Sequence, residues 1–164
     1  NELAAWMDEI ALPAGFAKKT AGNVQSHPYA PSRPLGDSLG GFVIVDGSDG
    51  PGAPLRRGDA FDFTIYLHAA QPIPDGWKLF AHVDGPGRSI NADHEPVEGT
   101  LPIARMKPGT FVRDRIHVTL PPDWPVGLTT LRVGLWRGRE RAKATGAHAR
   151  PDNAVDAASV TVAP

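Results

Sequence analysis

The sequence predicts an all-β domain, an antiparallel two-sheet sandwich with a short helix at its N-terminus, and three observations carry that prediction. From residue 42 on, apolar and polar residues alternate over short segments, the pattern of strands with one face buried and the other wet. The 18 glycines and 17 prolines among the 164 residues fall between those segments rather than in a low-complexity tract. No fixed-period repeat is present, which argues against a solenoid.

The elements follow in chain order. Leu3, Trp6, Met7 and Ile10 recur at three-and-four spacing within Glu2 to Leu12, so a short helix with one apolar stripe fits there and ends before Pro13 and Gly15. From Pro13 to Gly41 the prolines Pro28, Pro31 and Pro34 and several glycines leave no period, which reads as an extended connector. The chain thus divides into residues 1–41, helix and connector, and residues 42–164, the sandwich. Phe42 to Val45 opens the strands. Between Ala60 and His68, Phe61, Phe63, Ile65 and Leu67 share one face, and Asp62, Thr64, Tyr66 and His68 the other. Trp77, Leu79, Ala81 and Val83 are opposed by Lys78, Phe80 and His82, which suggests a central strand with both faces partly covered. Val112, Asp114, Ile116, Val118 and Leu120 share a face up to Pro121-Pro122, with Asp114 the odd member. Leu128 to Trp136 places Leu131, Val133 and Leu135 inward, and Ala158 to Val162 closes the series. A sandwich of immunoglobulin-like or jelly-roll-like kind accommodates these strands.

Composition narrows the function classes. With 17 Lys+Arg against 18 Asp+Glu there is no net field to attract a polyanion, so nucleic acid is not an expected partner. Without cysteine there is no disulfide and no thiolate chemistry. The longest purely apolar run among the strands, Phe42 to Val45, is far short of the roughly 20 residues of a membrane helix. The chain begins at Asn1 without a signal-like segment, and a fragment of a larger protein is the expectation.

A run of motifs then points further: Gly58-Asp59, LFAHVDGPGR, NADHEP, KPG, RDR, LPPDWPVG and LRVGLWRG, in this order. This run resembles the extracytoplasmic β-sandwich appended to bacterial membrane glycosyltransferases of the dolichyl-phosphate-mannose mannosyltransferase type. His82, Asp84, Asp93, His94, Pro108, Gly109, Arg113, Asp114, Gly127, Leu131, Val133 and Gly134 occupy matching places. The match departs from the pattern at Glu95, between His94 and Pro96, and at Thr129-Thr130, where an aromatic is usual. The resemblance spans Gly58 to Gly138 and leaves the N-terminal third uncovered. It implies a non-catalytic accessory domain in the periplasm, tethered through the membrane-embedded part of its parent, with the catalytic carboxylates outside this chain. A glycan or lipid-linked sugar is the partner it implies.

Candidate ligand-binding residues are Trp136, His82, Asp93, His94 and Tyr66. Sugars stack their apolar faces on exposed aromatic rings whose rims carry polar groups, which makes Trp136, Trp77, Trp124 and Tyr66 the aromatic candidates. The plainer reading makes Trp77 a core anchor and Trp136 the cover of a sheet edge. His82, Asp84, Asp93 and His94 are zinc-ligand types, but their spacing matches no ordered site, and hydrogen bonding across a turn is the expectation; no metal and no cofactor are assigned. His94-Glu95 lacks the second histidine of a zincin, and Pro96 would break its helix. Asp46-Gly47-Ser48-Asp49-Gly50 reads as a hairpin turn rather than a calcium loop, and Arg57-Gly58-Asp59 as a turn. Arg113 and Asp114 are expected to form an ion pair locking adjacent strands. Two other functions stay open: an assembly module docking a partner through the helix stripe, and an enzyme using His82 with Asp84 or Asp93 as an acid-base pair.

Overall fold

A computed structural model of the chain describes Ile10–Ala11 and residues 30–164. The strands are β1 (Ile10–Ala11), β2 (Arg33–Leu39), β3 (Val43–Asp49), β4 (Leu55–Arg56), β5 (Ala60–Ala69), β6 (Lys78–Gly85) and β7 (Arg88–Asn91), then β8 (Phe111–Thr119), β9 (Gly127–Arg137), β10 (Glu140–Arg141), β11 (Ala144–Thr145) and β12 (Val155–Ala163). They form two sheets, ordered β1-β8-β5-β3-β2-β11 and β4-β12-β9-β6-β7, with β10 paired to the end of β9. The all-β sandwich expected from the alternation is the fold observed.

Period-two alternation decides which side chains enter the core. The first sheet contributes Val43, Val45, Phe63, Ile65, Leu67, Val112 and Ile116, and the second Leu79, Ala81, Val83, Leu131, Val133, Leu135, Val155 and Val162, all buried. The outward residues of the second sheet line up across its strands: Lys78 lies opposite Trp136, Phe80 opposite Gly134, His82 opposite Arg132 and Asp84 opposite Thr130. This row arrangement positions the site described below.

Several expectations change. The helix over Glu2–Leu12 lies outside the described residues except at Ile10 and Ala11, which are extended and pair with Val112 and Phe111. Residues 33–39, read as the end of the connector, are strand β2: a register shift between Pro34 and Asp37, with Gly36 at φ 94°, absorbs the residues that hide the strand pattern. The Asp46–Gly50 segment is not a turn. A bulge between Val45 and Gly47 carries β3 on to Asp49 and shifts its alternation, so that Ser48 points inward. The Ser48 hydroxyl donates to the Ala157 carbonyl, at the bulge of β12 between Asp156 and Ala158, and so ties the two sheets together.

The Arg113-Asp114 ion pair is also replaced. Asp114 is 0% exposed on the inner face of β8. Its two oxygens are taken by His94 Nε2, at 2.6 Å, and by the Val97 amide, at 3.0 Å. Strand alternation explains the change, since it turns Arg113 and Arg115 to the opposite face from Asp114. Val97 and Glu98 stand in the left-handed backbone region at φ 55° and 53°, a costly conformation for a β-branched residue. The amide bond to a buried carboxylate holds that turn in place.

Candidate functional site

The outer face of the second sheet carries a cleft of about 310 Å³, lined by Phe80, His82, Asp93, Trp136, Gly138, Arg139, Glu140 and Arg141. Its size is at the lower end of small-molecule sites, which run from about 300 to 1,000 Å³. The cleft exists because of one glycine. Gly134 faces Phe80 across the β6–β9 ladder, and a Cβ there would collide with the Phe80 ring and lie 2.9 Å from the Asn153 carbonyl oxygen. Without that Cβ the ring packs over Gly134 and forms a buried aromatic floor on what would otherwise be a solvated face.

The walls come from neighbouring elements. The Arg141 guanidinium covers Phe80 at 4.4 Å from its centroid, and the His82 ring centroid stands 5.2 Å from that of Phe80. Trp136 is partly exposed at the end of β9, between Lys78 of β6 and Arg141 of β10. Lys78 Nζ lies 5.7 Å from the Trp136 ring centroid. The tight turn Gly138–Arg139, with Gly138 at φ 61°, folds β10 back on β9 and is held by Arg137 Nε donating to Glu140 at 2.9 Å.

Asp93 enters from the segment after β7. The Asp93 amide donates to the Asn91 side-chain oxygen at 2.8 Å, and its carboxylate accepts the Ala81 amide at 2.8 Å. That carboxylate therefore continues the ladder where β7 stops. His82 Nε2 lies 3.5 Å from the same Asp93 oxygen. The Asp93 carboxylate thus satisfies a backbone amide across the turn, as expected from the sequence, while His82 stands beside it at an ion-pair distance and no hydrogen bond joins the two.

Beside the cleft, Arg132 binds three carboxylates: Asp152 at 2.7 Å, and Asp84 and Asp156 at 3.3 Å each. Partial burial disfavours the charged guanidinium, but contacts with Asp152 and Asp84 outweigh it and raise its pKa. Burial likewise works against ionised Asp152, and Arg132 overcomes it, lowering that pKa. The network links β6, β9 and β12 through Arg132, with the charges inside it mutually satisfied.

Of the five candidate residues, the structure brings Trp136, His82 and Asp93 together in the cleft. His94 is turned away, with Nδ1 on the Ala92 carbonyl and Nε2 on Asp114. Tyr66 belongs to the first sheet; it is buried and donates its hydroxyl to Asp49. Trp124 is 0% exposed and donates to Thr129 at 2.9 Å, and Trp77 is a core residue, so neither is a platform. Among the described residues no group of three or more His, Asp or Glu is placed to hold a metal ion. Sequence reasoning missed Phe80, Arg139 and Arg141. An aromatic on the polar side of a strand, opposite a glycine, was the available signal for Phe80; the arginines carried none.

No family model matches this chain, and no curated protein does. Among solved structures it is similar to the C-terminal domain of Wzt, with 15% identity over 85% of this chain and 84% of that one and a TM-score of 0.45. That likeness is too distant to support an argument about function. The comparisons do not support membership of the glycosyltransferase family; the sandwich fold that the resemblance implies is present.

Proposed function

We propose that this chain is a non-catalytic β-sandwich that contacts a glycan through the cleft beside Trp136. The observation that carries the reading is the combination of a partly exposed indole, a buried aromatic floor and a polar rim of His82, Asp93, Glu140 and Arg141 in one concavity. Sugars present apolar C–H faces and hydroxyl edges together, and such a site answers both. The polar groups there are engaged in holding the fold: Asp93 caps the ladder, Arg141 covers Phe80 and bonds Asp152, and Glu140 pins the turn. That fits a binding surface better than an acid-base pair. The finer part of the reading follows the ordered motif run: the domain is extracytoplasmic and tethered through a membrane-embedded glycosyltransferase.

The test is a ligand-observed NMR screen of the 164-residue chain against neutral and charged mono- and oligosaccharides. Saturable binding that disappears in Trp136→Ala supports the proposal. Binding that survives in that variant, or none across the panel, removes it.

A further inference from the structure

Two cations, Arg139 in the cleft lining and Lys78 beside it over Trp136, stand apart from the charge network around them. The carboxylates of the region are committed: Glu140 to Arg137, Asp152 to Arg132 and Arg141, Asp156 to Arg132 and Arg150, and Asp93 to the Ala81 amide. Lys78 and Arg139 have no carboxylate partner among the described residues, and both are exposed. Arg139 sits in the turn that forms one wall, and Lys78 stands over the Trp136 ring. Against the single carboxylate of Asp93, bonded to a neutral amide, the two cations leave the unpaired charge around the cleft positive, although the chain as a whole carries a net charge of -1.

Resting on the glycan reading, we infer that the ligand is an anionic sugar, one bearing a carboxylate or a phosphate, whose ring stacks on Trp136 while its charge lies between Lys78 and Arg139. Arginine suits a planar or tetrahedral oxyanion through paired N–H donors, and lysine adds a compact charge. The ion pairs form at an exposed mouth, so each is screened by water. Two cations together then give a preference of about three- to tenfold over the neutral sugar, and salt weakens it.

Glucose, glucuronate and glucose 6-phosphate, titrated into the full chain and followed by NMR, separate the alternatives. The expected result is tighter binding of one or both anions, a ratio to glucose that falls towards one in K78Q/R139Q, and the same fall when salt rises from about 20 mM to about 500 mM. Glucuronate alone gaining would assign the carboxylate, and glucose 6-phosphate alone the phosphate. Equal binding of all three, abolished by Trp136→Ala, would overturn the charge inference and leave the glycan reading standing. A preference unchanged in K78Q/R139Q would also overturn it. No binding of any of the three would sink both.

Discussion

Replacing His94 by alanine gives a prediction whose size and pH dependence both follow from geometry. His94 Nδ1 lies 2.9 Å from the Ala92 carbonyl oxygen and Nε2 lies 2.6 Å from an Asp114 oxygen. A carbonyl oxygen and an ionised carboxylate only accept, so the imidazolium, which donates from both ring nitrogens, fits both contacts. Burial works against that charge, but the Asp114 contact outweighs it, with smaller help from Ala92 and Asp93, and raises the pKa above the usual histidine value. Breaking a buried ion pair by removing one partner costs about 3–5 kcal/mol. His94 is 23% exposed and Asp114 keeps the Val97 amide, so water and one remaining donor soften the loss to about 2–3 kcal/mol. That corresponds to a melting temperature lower by about 5–10 °C. A raised histidine pKa stabilises the fold fully below the unfolded value near pH 6.5, and the contribution fades as pH rises through the higher folded value. Urea melts of wild type and His94→Ala at about pH 6 and pH 9 should therefore show a clearly larger difference at the lower pH. A cost under about 1 kcal/mol at pH 6, or an equal cost at both pH values, would refute the ion-pair assignment.

Three further substitutions test other parts of the fold. Gly134→Ala drives a methyl group into the Phe80 ring, so it should cost about 1–3 kcal/mol in chemical denaturation and weaken sugar binding by displacing the cleft floor. Ser48→Ala leaves the Ala157 carbonyl without its cross-sheet donor, and a loss of about 1–3 kcal/mol is expected; an unchanged urea midpoint would show that the link between bulges carries no stability. Tyr66→Phe removes a hydroxyl bonded to Asp49 on the other sheet, so sugar titrations should be unaltered while stability falls by about 0.5–1.5 kcal/mol.

The strands that obey strict alternation were legible in the sequence. Phe61, Phe63, Ile65 and Leu67 of β5 and Leu131, Val133 and Leu135 of β9 are buried as their period requires. Bulges hid the rest: at Gly36 and Asp46 an inserted residue breaks the period, and glycine, serine and aspartate then read as turn chemistry. The cleft was half legible. Trp136, His82 and Asp93 could be singled out by residue type, but Arg139 and Arg141 arrive through the fold-back of β10, and hydrophobic periodicity does not encode the residues opposite one another in a hairpin. His94 and Tyr66 were chemically sound candidates whose partners, Asp114 and Asp49, are 20 and 17 residues distant in the chain. Asp114 was recognised as anomalous on an inward face. Its neighbours in sequence suggested arginine, whereas strand alternation sends both arginines to the other side.

The most direct test of the account follows the tryptophan indole N–H resonances of the 15N-labelled chain during titration with a sugar. Trp136 lines the cleft while Trp77 and Trp124 are buried in the core, so the last two are internal controls. The account predicts a saturable shift of the Trp136 indole, with those of Trp77 and Trp124 unmoved. A bound sugar that leaves the Trp136 indole unmoved would contradict it.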